Sequence, residues 1–111
     1  MPDPGLPTTT ALELPGATID TNLGVVFGLV VRSLGLAKGF TAGFSAMRRG
    51  EVSQYTELLE DSRRHALDRM VANARLVGAD AIIAVRFDSS EVGQQALTEI
   101  LAYGTAVTLA R

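Results

Sequence analysis

Residues 17–33 constrain the fold more than any other stretch, because read as a strand they are apolar on both faces. The run is long and β-branched, which suits a pleated, buried surface. Side chains alternate across a strand. Val25, Phe27, Leu29 and Val31 therefore share one face, and Val26, Gly28, Val30 and Arg32 the other. A lone two-layer domain has one helix layer and leaves its second sheet face wet. A strand apolar on both faces asks for cover on both. In a chain of 111 residues, the size of one domain, a second copy is the simplest extra cover. Val26, Gly28 and Val30 are the candidate interface residues.

The remaining elements follow from periodicity and punctuation. Residues 8–13 are threonine-rich and read as a short strand. Leu14-Pro15-Gly16 is a turn, since proline presets φ and glycine tolerates positive φ. Together these predict a hairpin between residues 8–13 and 17–33. Phe40, Phe44 and Met47 recur at helical spacing within residues 35–50, which predicts a short helix. Residues 53–77 carry the clearest pattern. Tyr55, Leu59, Ser62, Ala66, Met70, Ala74 and Val77 form one helical stripe, flanked by Leu58, Leu67 and Val71. Ser53 suits the start and Gly78 the end. Residues 79–88 read as a strand, 89–95 as a loop and 96–110 as a last strand. The strands on either side of the long helix should run parallel, and the last strand antiparallel to its neighbour.

The predicted fold class is α+β: a two-layer mixed β-sheet with one long helix packed on it and a short extra helix. Residues 8–111 form the single domain, and residues 1–7, with three prolines and no basic residue, a disordered tail. That start lacks the basic and apolar stretches of a secretory signal. The longest apolar run, residues 23–31, falls short of the roughly 20 residues that cross a bilayer, so no membrane partner is expected.

Charge and composition narrow the function classes. The net charge of −2 disfavours nucleic-acid binding, which draws much of its affinity from phosphate neutralisation. Six aromatics (two Tyr and four Phe) argue against a base-stacking platform. With no cysteine, thiol nucleophiles, thiolate zinc sites and disulfides are excluded, and a cytoplasmic address fits. Gly35, Gly39 and Gly43 match neither the dinucleotide fingerprint nor a phosphate loop. Arg48-Arg49 and Arg63-Arg64 are basic pairs that suit solvated helix ends and intrahelical ion pairs.

One histidine exists, His65, with Asp61 four residues before it and Asp68 three after. An N/O set of this kind can hold a divalent metal ion, although the i, i+4 charge pairs of a solvated helix face give the same pattern. Asp80 follows the helix-ending Gly78 and suits a turn. Asp88, Glu91 and Arg86 flank a strand end and are candidates for acid–base work. No nucleophile–base set accompanies them, so no catalytic residue is assigned.

The runs Leu23-Gly24-Val25-Val26-Phe27-Gly28, Arg63-Arg64-His65-Ala66-Leu67-Asp68-Arg69-Met70, Gly78-Ala79-Asp80-Ala81 and Gly104-Thr105-Ala106-Val107 resemble the YbjQ-like family, often labelled "putative heavy-metal-binding". The resemblance spans residues 8–110. It implies a small subunit of the dodecin kind, assembled with copies of itself into a ring, a homopentamer, and it suggests metal binding without supplying ligand positions. The expected function is a non-enzymatic oligomeric module holding a small ligand or ion between subunits. The alternatives are a metal-binding protein using His65 and carboxylates, and an enzyme with its site at a subunit interface.

Overall fold

The computed structural model describes residues 5–33, 53–92 and 97–111. The expected short helix at 35–50, with Arg48, Arg49 and the three glycines, lies outside the described residues. Strand β1 is Ile19–Ser33, helix α1 is Ser53–Leu76, β2 is Ala81–Val92 and β3 is Leu97–Leu109. The three strands form one antiparallel sheet in the order β1-β3-β2. β1 and β2 both run antiparallel to β3, so they are parallel to each other, as the intervening helix predicted. They are separated by β3 instead of lying side by side, and the strand set is antiparallel rather than mixed.

Helix α1 forms where the 3.6-residue stripe predicted it. Ser62, Ala66, Met70 and Ala74 are fully buried, and Leu59, Leu67 and Val71 pack partly buried against the same core. The buried Ser62 hydroxyl donates to the Leu58 carbonyl at 2.8 Å, the back-bond that satisfies a mid-helix serine. Gly78 ends the helix with φ +80°, and its N–H donates to the Arg75 carbonyl at 3.0 Å. Val77, placed on the stripe by periodicity, is exposed because it lies past the last helical residue. Arg64 pairs with Glu60 at 3.4 Å on the solvated face.

The helix lies over β1 and β3. Val26, Gly28 and Val30 of β1 meet it beside Ile100, Ala102 and Ala106 of β3. Small residues let the layers close: a Cβ on Gly28 would overlap the Ala66 carbonyl oxygen and the Met70 backbone nitrogen. The interface role assigned to Val26, Gly28 and Val30 is therefore corrected. They are covered by the chain's own helix, and the row left open is Val25, Phe27, Leu29 and Val31. Met70 fills the centre of this layer. Met70→Ala is expected to lower stability by about 2–5 kcal/mol, the usual loss for a buried large-to-small change, measured as a shift in denaturant midpoint.

The N-terminal segment departs from the hairpin. The turn forms, with the Ala17 N–H donating to the Leu14 carbonyl at 3.1 Å and Gly16 at φ +79°. Residues 7–11, however, line the outer edge of β2. Ile82 N–H donates to Pro7 O at 2.9 Å, and Thr9 N–H to Ile82 O at 3.0 Å. Thr8 makes an isolated parallel bridge to Ile82. Strand β3 takes the inner edge of β1 along its whole length, so the segment cannot pair there. Leu6 also packs against the core, so the packed body starts before Thr8.

β2 carries a bulge. Its register with β3 slips between Ile83 and Arg86, and Ala84 sits at φ +55°, a strained setting for a residue with a Cβ. The N-terminal segment clamps it: Ala84 N–H donates to Ala11 O at 2.8 Å and Val85 N–H to Thr9 O at 3.0 Å. β2 then continues to Val92, through residues expected to be a loop, because pairing with β3 outweighs the low strand propensity of Asp88-Ser89-Ser90.

Candidate functional site

The face of the sheet opposite α1 is the most unusual surface of the described residues. β1 presents Val25 at 73%, Phe27 at 55% and Val31 at 52% exposure, with Leu29 beside them. Directly opposite residues in an antiparallel pair share a face. Register therefore sets Thr105, Tyr103, Leu101 and Glu99 of β3 against Val25, Phe27, Leu29 and Val31 in turn. All four of these β3 residues are partly exposed. Across β3, β2 contributes Ile83, Arg86, Asp88 and Ser90. The face is thus an apolar field over β1 and half of β3, with a charged margin toward β2.

The backbone of β1 matters as well. β1 is an edge strand, and an edge offers unpaired N–H and C=O groups to another chain. One is already used: Asn73 Nδ2 on α1 donates to the Phe27 carbonyl at 2.7 Å.

The sequence-derived polar candidates separate in space. Asp88 opposes Leu101 on the open face, whereas Glu91 opposes Thr98 on the helix-facing side. A strand's alternation puts residues 88 and 91 on opposite faces, so they form no carboxylate pair. Arg86 is engaged structurally, its Nη1 donating to Thr10 O at 2.9 Å and Val85 O at 2.8 Å. It anchors the N-terminal segment beside the bulge. Asp80 also has the structural role its position suggested. Its Oδ2 accepts from the Leu109 N–H at 2.9 Å, tying the end of β3 to the start of β2.

His65 and Asp61 do come together, but through a cation. Arg32 Nη2 lies 3.3 Å from Asp61 Oδ2 and 3.1 Å from His65 Nδ1. Asp68 does not join them, and among the described residues no three His, Cys, Asp or Glu side chains form a metal-ligating group. Arg63 and Arg64 diverge as well. Arg64 turns to Glu60, while Arg63 stands 5.7 Å over the Phe87 ring. Sequence reasoning missed Arg32 as a partner of the histidine, since strand and helix meet only in the fold. No described helix is long and apolar enough to cross a membrane.

Comparison with known proteins agrees with the fold and the early resemblance. A family model described as "Putative heavy-metal-binding" matches residues 6–110. A UPF0145 protein of Methanoregula boonei is 51% identical over 96 residues, covering 86% of this chain and 79% of the relative. A UPF0145 protein of a Bradyrhizobium strain is 45% identical over 107 residues, 96% of each chain. A crystal structure of a protein of unknown function from Pediococcus pentosaceus superposes with a TM-score of 0.66. It covers 95% of this chain and 98% of that one at 18% identity, a likeness of fold alone. With the family model spanning nearly the whole chain and relatives at these identities, the chain belongs to the YbjQ-like UPF0145 family.

Proposed function

We propose that this protein is a non-catalytic, self-associating module whose open sheet face is covered by neighbouring copies of the same chain, with a small ligand or ion held between subunits. The observation that carries the proposal is the exposed row Val25, Phe27, Leu29 and Val31 on an edge strand. Removing a large apolar side chain from water contributes about 1.5–3 kcal/mol, so four adjacent ones favour association strongly.

A second copy is the occupant this surface suits. Its apolar centre and charged margin are how interfaces are built. Arg86 and Asp88 place both signs of charge on one face, so two copies offer each other complementary margins. A chain of net charge −2 is a poor match for phosphate-rich partners. A ring of five is what the family resemblance suggests, and the absence of cysteine suits a cytoplasmic setting.

Native mass spectrometry of the untagged protein, before and after a chelator, tests this reading. The expected result is a defined multiple of the 11.7 kDa protomer, with five as the leading stoichiometry. Retained extra mass identifies a bound ligand, and its loss to the chelator identifies that ligand as a metal ion. A monomer at micromolar concentration overturns the proposal.

A further inference from the structure

The family's description names a heavy metal, and the donors available in this chain suit one poorly. Such ions favour thiolate, thioether and imidazole ligands. The sequence has no cysteine, one histidine and three methionines. Met70 is fully buried on the inner side of α1, with its side chain packed in the core. Met1 and Met47 lie outside the described residues. Among the described residues that leaves His65, and its surroundings are those of an acceptor to a cation.

Arg32 reaches from the end of β1 to the side of α1. Its Nη2 is 3.1 Å from His65 Nδ1 and 3.3 Å from Asp61 Oδ2. A guanidinium only donates and keeps its charge. The Nδ1 lone pair that a metal would take is therefore the one receiving the arginine N–H, which places the ring proton on Nε2. The Asp61 carboxylate, which would neutralise a metal, already faces a positive charge. An ion placed between His65 and Asp61 would have to displace Arg32, whose side chain is only 30% exposed.

We infer that Arg32, Asp61 and His65 form a latch holding the end of β1 against α1, and that they are not a heavy-metal site. Asp61 and His65 lie 29 and 33 positions beyond Arg32 along the chain. Their contact is therefore tertiary, and it joins the two layers at the end of β1, on the face that meets α1.

The test follows the full-length protein and its Arg32→Ala, Asp61→Asn and His65→Ala variants. Each is titrated with zinc chloride alone, while the His65 imidazole NMR signals, retained zinc in native spectra and the denaturation midpoint are recorded. The parent's His65 signals are expected to stay in place at equimolar zinc, and Arg32→Ala is expected to lower the midpoint. Zinc retained equally by parent and His65→Ala supports the inference, because the ion then sits elsewhere. One zinc per chain that is lost in both His65→Ala and Asp61→Asn overturns it. So does an Arg32→Ala midpoint equal to the parent's, since a latch that can be removed without effect holds nothing. The parent's NMR titration keeps the metal question answerable even if a variant fails to fold.

Discussion

Gly28→Val is expected to abolish the native state. A Cβ at this position would overlap backbone atoms of Ala66 and Met70 and stand 2.9 Å from Arg69 Cβ. Backbone atoms cannot rotate away as a side-chain tip does, so α1 must lift from β1. Lifting it would open the layer formed by Met70, Ala66, Ala102 and Val30, all of them core. Overpacking in a tight core costs about 1–3 kcal/mol even when side chains yield, and here they are not the obstacle. A domain of this size has a total margin of about 5–15 kcal/mol. Gly28→Ala, the milder change, is expected to cost about 3 kcal/mol or more. Circular dichroism with denaturant titration reads both. A Gly28→Ala midpoint within error of the parent's would mean that the helix does not sit on this glycine.

Phe27→Asp is expected to dissociate the proposed assembly while leaving each chain folded. Phe27 is more than half exposed in the single chain and faces away from α1, so the fold loses little. Between subunits the same change places an unpaired charge in a dry contact, at a cost of about 3–5 kcal/mol. That weakens association by at least about a hundredfold. Val30→Asp, three positions on, should do the reverse. Val30 is 8% exposed beneath the helix, and a charge there unfolds the chain itself. Sedimentation velocity and circular dichroism at one concentration separate the cases. Phe27→Asp should give a folded monomer and Val30→Asp an unfolded chain. A Phe27→Asp variant with the parent's sedimentation coefficient would rule out the open face as the contact between copies.

The contrast between neighbouring positions shows what was legible in the chain. Alternation told which residues of β1 share a face, and both faces were seen to be apolar. It did not tell which face meets the helix, because hydrophobicity is the same on both. Size carried that information. Gly28 on β1, Ala102 and Ala106 on β3 and Ala66 and Ala74 on α1 are the small residues that permit close approach. Phe27 and Leu29 are too large for that layer. Read together, those small residues were the signal available for choosing the inner face.

The candidate site was less legible for a similar reason. His65 and Asp61 were seen as neighbours because helical spacing is local. Arg32 was not seen with them, because strand-to-helix contacts depend on how the layers stack. The pairing of residues 7–11 with β2 was likewise not legible, because the sheet has two outer edges, on β1 and on β2, and local sequence does not choose between them.

By itself, then, the sequence determined the α+β class, the long helix with its ends, the three main strands and the presence of two apolar sheet faces. These rest on local geometry, the 3.6- and 2-residue periods and the φ preferences of glycine and proline, which each segment carries with it. Only the tertiary structure decided the strand order, the partner of the N-terminal segment, the face turned to α1 and the cation that occupies His65. Those depend on which surfaces meet, and side-chain volume and edge availability settle that across residues far apart in the chain.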